Sequence, residues 1–194
     1  TITGHVKATG GNGDNSSVVY ANGGGILKIG SVEIIDNATT TNQAGILALN
    51  GSELTIQGKS SVSMKSGAAL QAISNSHIKT GDLIIDIRTA DNNETLALWA
   101  ENTSTITVGA VEITMTGTDD YGFSSKNNST ITANGSVYIN LSGGTTTSTS
   151  GNTSAGIFAN NSNVITNSGA RIITNGAGSD GVRLAENGKF TNTG

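Results

Sequence analysis

The sequence predicts an all-β protein: a right-handed parallel β-helix with three short strands per coil of about 25 residues, about seven coils, in a single domain over residues 1–194. Three observations predict it. A short segment, an apolar residue flanked by Ser or Thr and usually followed by Gly or Asn, recurs seven times. Two further strand-like segments keep a near-constant offset from it. The chain contains no Pro, which would delete a hydrogen-bond donor from any central ladder.

The repeated segment supplies the middle strand of each coil. Its central residues are Leu27, Leu54, Ile78, Ile106, Ile131, Val164 and Phe190, separated by steps of 27, 24, 28, 25, 33 and 26 residues. The first strand lies upstream. Val19, Ile46, Leu70, Leu98, Phe123, Gly156 and Val182 stand eight positions before the central residues; Ala21, Ala48, Ala72, Ala100, Ser125, Phe158 and Leu184 stand six before. Side chains alternate along a strand, so both positions face one way. The first is mostly large and the second mostly small, as a narrow interior requires. The third strand follows a Gly, as in Val32–Ile34, Val62–Met64, Leu83–Ile87, Val111–Met115 and Val137–Leu141. Around Arg171-Ile172-Ile173 the pattern is out of step by one residue. Residues Thr1–Val6 read as the second and third strands of an earlier repeat.

No single repeat buries its inward face alone, so the repeats must stack, coil on coil ≈ 4.8 Å apart. Coils of this length suit the right-handed form, and the hexapeptide repeats of the left-handed one are missing. Between the first two strands Asn recurs, as Asn50, Asn102, Asn127 and Asn160, interrupted by Gly23, Ser74 and Glu186. Asn tolerates the left-handed backbone of a tight bend, and its amide can bond an amide in the next coil. The connections after the third strand vary most: Thr9–Ser16, Asp36–Gln43, Arg88–Glu94, Thr116–Asp120 and the longest, Ser142–Ser154. Both chain ends interrupt a repeat, so the sequence reads as a stretch of a longer solenoid.

Composition narrows the function. Cys is absent, which excludes a disulfide framework and thiolate chemistry. The net charge of −4 argues against a nucleic-acid surface. No apolar run approaches the ~18 residues of a membrane span, and no signal peptide opens the sequence. Gly, Thr, Ser and Asn make up about half the chain, yet the 35% hydrophobic content is spaced periodically, unlike a disordered linker.

A search for chemistry yields little. Polysaccharide cleavage on such a scaffold needs two or three carboxylates on adjacent coils. The candidates are Asp82, Asp86, Asp91 and the Asp119-Asp120 doublet, which reads as a surface loop; Arg88 beside Asp86 reads as an exposed ion pair. Gly10-Gly-Asn-Gly-Asp14 resembles a calcium-binding nonapeptide but lacks a residue and occurs once. His5 and His77 have no Cys or Glu at ligand spacing, and Gly23-Gly24-Gly25 has no following helix to cradle a phosphate. No catalytic residue, metal site or cofactor is assigned. Triplets such as Asn37-Ala-Thr39, Asn93-Glu-Thr95 and Asn128-Ser-Thr130 are expected by chance in this composition.

The surface is the better candidate. Seven positions before each central residue stand Tyr20, Leu47, Gln71, Trp99, Ser124, Ile157 and Arg183. They face outward, and the first four form a ribbon roughly 15 Å long holding the single Trp. With Gly143, Thr145, Thr147 and Asn152 of the longest loop, Tyr20, Leu47, Gln71 and Trp99 are the candidate partner-binding residues. The third strands present Glu33, Asp86, Glu112, Thr114, Tyr138 and Asn140 outward, a polar stripe that suits either solvent or a second copy.

These coils, rich in Gly, Asn, Thr and Ser and free of Cys and Pro, resemble the passenger region of a bacterial autotransporter adhesin of the pertactin-like or self-associating type. The resemblance lies in repeat grammar over essentially the whole chain. It implies display at the outer surface of a Gram-negative cell, tethering through a β-barrel outside this sequence, and non-catalytic adhesion to a host protein or glycan, or to another copy. The alternative is a polysaccharide-processing or phage tailspike-like β-helix.

Overall fold

The computed structural model describes residues 1–10, 17–37, 43–88, 94–143, 154–175 and 178–194. It is an all-β solenoid of about six turns and about 26 residues per turn, with every strand pairing parallel and no helix among the described residues. The coil opens with β1 (Ile2–Gly10), β2 (Ser17–Asn22) and β3 (Ile26–Asp36). Three strands per coil follow: β4 (Ala44–Leu49), β5 (Glu53–Ile56) and β6 (Ser60–Met64); then β7 (Ala68–Ile73), β8 (His77–Thr80) and β9 (Leu83–Ile87). Next come β10 (Glu94–Glu101), β11 (Thr105–Val108) and β12 (Val111–Met115); then β13 (Asp119–Lys126), β14 (Thr130–Ala133) and β15 (Val137–Leu141). The last are β16 (Ala155–Asn160), β17 (Asn163–Thr166), β18 (Ala170–Thr174), β19 (Asp180–Ala185) and β20 (Lys189–Asn192).

First strands form a seven-stranded sheet, β19-β16-β13-β10-β7-β4-β2. Second and third strands form two stacks joined into one 13-stranded sheet by β3, which runs unbroken across the corner. The opening segment sits as the repeat predicts: Val6 pairs with Val32 and Ala8 with Ile34. In the third-strand stack, Ile139 pairs with Ile172 and Tyr138 with Arg171, which places the register around Arg171.

One continuous core runs down the axis. Its columns are Ile46-Leu70-Leu98-Phe123-Ile157, Leu54-Ile78-Ile106-Ile131-Val164 and Ile34-Val62-Ile85-Ile113-Ile139, all essentially inaccessible. Burying each such side chain stabilises the fold by about 1.5–3 kcal/mol, so the interior carries it.

Two features depart from strict alternation. In five first strands, β4, β7, β10, β13 and β16, a small residue and the large one after it both turn inward: Gly45-Ile46, Ala69-Leu70, Ala97-Leu98, Gly122-Phe123 and Gly156-Ile157. A Cβ on Gly45 would meet Val62 and Met64, and one on Gly122 would meet Ile139, so these glycines face the core. The small residue drops out of the ladder each time, as between the pairs Ala44↔Ala68 and Ile46↔Leu70.

The second departure corrects the expected register of β16. Ile157 pairs with Phe123 and is buried, whereas Phe158 pairs with Ser124 on the outside. The cause is a corner one residue shorter. Asn127 and Asn128 both take left-handed φ (53° and 62°), but in the next coil only Asn161 does (46°). The offset of eight that holds elsewhere becomes seven between Ile157 and Val164.

The corners explain the Ser, Asn and Gly. At the first corner, Asn50, Asn102 and Asn127 are left-handed, as are the interruptions Gly23, Ser74 and Glu186. Asn127 Nδ2 donates to Asn102 Oδ1 at 3.1 Å, and Asn50 Nδ2 to Asn22 Oδ1 at 3.0 Å. Inside that corner, the backbone N–H groups of Ser52, Ser76 and Ser104 donate to the hydroxyls of Ser76, Ser104 and Ser129. At the second corner the coils approach closely: a Cβ on Gly81 would lie 2.8 Å from the Gln57 carbonyl. The variable connections all leave from the third corner, between the ends of the third strands and the starts of the first.

Candidate binding surface

The first-strand sheet brings the predicted ribbon together. Tyr20 pairs with Leu47, Leu47 with Gln71 and Gln71 with Trp99, so the four form one outward column. Tyr20 is 49% exposed and the other three are partly covered. The column continues through Ser124, Phe158 and Arg183. Ser124 is small and fully buried, and Lys126 spans the gap it leaves: its Nζ lies 5.8 Å from the Trp99 ring centroid and 5.7 Å from that of Phe158. Lys126 also approaches Glu94 at 3.8 Å.

A second outward column was not legible from simple alternation. Because small and large residues both turn inward, the residue two before each large one turns out. Ala68, Leu96, Tyr121 and Ala155 form a small apolar cluster there, with Trp99 and Phe158 packed against it. The Tyr121 and Phe158 rings meet with centroids 5.6 Å apart at 53°. Burial pushes the Tyr121 hydroxyl pKa up. The signal that could have found this column is the recurring Gly/Ala-then-large dipeptide.

The third corner is held by a polar network. The expectation of a surface-loop doublet at Asp119-Asp120 is corrected: both residues belong to β13, and Asp120 is fully buried. Thr95 Oγ1 donates to Asp120 Oδ1, and the Gly117 N–H donates to Oδ2 at 2.6 Å. The Asp120 N–H donates to Ser154 Oγ at 3.0 Å, and that hydroxyl donates to the Thr118 carbonyl at 2.7 Å. The starts of β10, β13 and β16 are thereby tied together. Burial drives the Asp120 carboxyl up to about 6 against its two hydrogen bonds, and burial raises Asp119 as well. Gly143, at the start of the longest loop, packs so closely on the Thr116 carbonyl that a Cβ would overlap it, so its role is backbone packing. Thr145, Thr147 and Asn152 lie outside the described residues.

The other acidic candidates go elsewhere. Asp86 lies in the 13-stranded sheet and pairs with Arg88, Nη2 to Oδ2 at 2.7 Å, while the doublet lies in the seven-stranded sheet. Asp91 is outside the described residues. His5 Nδ1 and His77 Nδ1 each sit 2.8 Å from a hydroxyl, of Ser31 and Thr105. Among the described residues no group of three His, Cys, Asp or Glu is placed to hold a metal ion, and no helix is long and apolar enough to cross a membrane.

No protein-family model matches the chain, and comparison with curated proteins and with solved structures likewise gives no significant match.

Proposed function

We propose that this chain is part of a bacterial cell-surface adhesin passenger, displayed on a Gram-negative cell and acting as a rigid, non-catalytic binding scaffold. Its partner is a host surface protein or glycan, or another copy on a neighbouring cell. The observation that carries this reading is the in-register outer column Tyr20-Leu47-Gln71-Trp99, extended by Phe158 and backed by Leu96 and Tyr121. Aromatic and apolar residues held on a stiff sheet lose little conformational entropy on binding, which favours them as contact anchors. Two of the carboxylates suited to cleavage chemistry, Asp86 and Asp120, are engaged in separate structural contacts on different sheets, which lends the hydrolase reading no support.

The test displays the chain on a non-adherent bacterium and scores sedimentation and attachment to host cells and matrix. Wild-type display should promote one or both, and Trp99→Ala should reduce it with far-UV dichroism unchanged. A displayed, folded chain that promotes neither would overturn the reading.

A further inference from the structure

A different face of the prism carries a groove. It runs along the axis between two outward columns of the third-strand stack. One wall is Ile84-Glu112-Tyr138, consecutive in the ladders; the other is Lys59, Asp82, Ala110 and Ser136, each one residue before its strand's first core position. The groove holds about 210 Å³ and spans four coils, roughly 14 Å.

Its chemistry is mixed in a particular way. Ile84 is 37% exposed, an aliphatic patch on an otherwise polar stripe. The Tyr138 ring is half-buried, with the Arg171 guanidinium 5.7 Å from its centroid on the next coil. Glu112 and Lys59 are exposed and in no ion pair among the described residues. Asp82 Oδ1 accepts from the Ala110 N–H at 2.9 Å, which fixes its carboxylate at the rim. Two carboxylates between two cations leave the groove close to neutral. That balance disfavours a phosphate or nucleic acid, which needs a basic surface. Arg171 at one end and Lys59 at the other disfavour a cationic peptide. A polar rim of fixed acceptors is costly to desolvate against a purely apolar ligand.

We infer that this groove binds a neutral hexopyranose saccharide lying along the solenoid axis. The C–H face of a pyranose packs on Tyr138 and Ile84. Its hydroxyls donate to Glu112 and Asp82 and accept from Lys59 and Ser136, so both the apolar and the polar surface of the ligand are matched. The inference sits within the binding-scaffold reading, naming a ligand class, but uses a face distinct from the Trp99 ribbon.

Saturation-transfer NMR on the purified chain tests it, with cellotetraose, chitotetraose, maltotetraose and mannotetraose as probes and sialyllactose and a hexalysine peptide as charged controls. At least one neutral tetrasaccharide should bind. Glu112→Gln, an exposed and nearly isosteric change, should weaken that binding about fivefold, as replacing a charge-assisted hydrogen bond by a neutral one does. Tyr138→Ala should weaken it as well, and Lys28→Ala, an exposed change on the second-strand stack away from the groove, should leave it unchanged. The inference is overturned if no neutral probe binds at about 10 mM, if only the charged controls bind, or if either groove variant binds like wild type. Saccharide binding lost with cell adhesion intact removes this groove and leaves the ribbon standing.

Discussion

Lys126 lies over the ring of Trp99, 5.8 Å from its centroid, although the two residues stand in neighbouring coils and two positions apart along their strands. The same ammonium lies 5.7 Å from the Phe158 ring, so one cation joins three coils on the outer face. Ser124, small and fully buried, lies between the two rings in the ladder. The ribbon is therefore ordered by its own contacts.

This arrangement makes the single Trp a reporter. Lys126→Ala uncovers the indole and should shift Trp99 emission to the red. It should cost about 0.5–1 kcal/mol, the range of exposed cation–π contacts. Emission identical to wild type would show that Lys126 does not hold the ring.

Asp120 gives a pH signature. Its carboxyl is pushed from the ordinary 3.8 to about 6, chiefly by burial. Below about pH 4 it is protonated in both the folded and unfolded chains. Between about pH 4 and 6 the folded chain keeps the proton that the unfolded chain has lost, so the folded state binds more protons and stability falls as pH rises. Above about pH 6 the penalty is constant. The contribution is about 2–3 kcal/mol across that window. Urea denaturation from pH 4 to 7 should show the decline, and Asp120→Asn should flatten it. An equal slope in the variant would assign the effect to another group.

The periodic part of the fold was readable because an alternating strand leaves a period-two trace and stacking repeats it in every coil. The columns through Leu54 and Ile85 follow from that alone. Three things escaped. The paired inward residues, as at Gly122-Phe123, break the period inside one strand, and an alternation rule passes over them. The shortened corner at Asn161 moves Ile157 inward and Phe158 outward, and an Asn-rich sequence does not specify corner length. Asp120 looks like a solvated loop residue until Thr95 of β10 and Gly117 of the connection before β13 arrive to satisfy it. Of the candidate site, the four-residue column was legible. Leu96, Tyr121, Lys126 and Phe158 needed the bulge and the register first.

The serine ladder makes a local prediction. Ser104 is fully buried, and its hydroxyl accepts the Ser76 N–H at 3.1 Å. Ser104→Ala leaves that donor without a partner in a dry interior, at a cost of about 1–3 kcal/mol. Hydrogen exchange should show the Ser76 amide losing protection while Ile78 and Ile106 keep theirs. Unchanged protection at Ser76 would mean that the hydroxyl is dispensable.

The paired inward residues make the sharpest test of the architecture, because reverse substitutions at equivalent places in adjacent coils should both destabilise. Gly122 and Ala97 occupy equivalent places, each just before a large core residue. A Cβ on Gly122 would stand 2.5 Å from the Gly156 carbonyl oxygen and 2.9 Å from Ile139 Cγ2, so something must shift to admit it. Gly122→Ala should therefore cost about 1–3 kcal/mol, the range for overpacking a dense core. Ala97 already holds its methyl in the core at full burial. Ala97→Gly removes it and frees the unfolded backbone, which should cost about 1 kcal/mol. The methyl is thus unwelcome in one coil and stabilising in the next, although an Ile, Ile113 or Ile139, stands at the equivalent third-strand position of each. Chemical denaturation of the two variants decides it: a Gly122→Ala chain as stable as wild type would show that Gly122 does not face the interior, and the inward pairing would have to be abandoned.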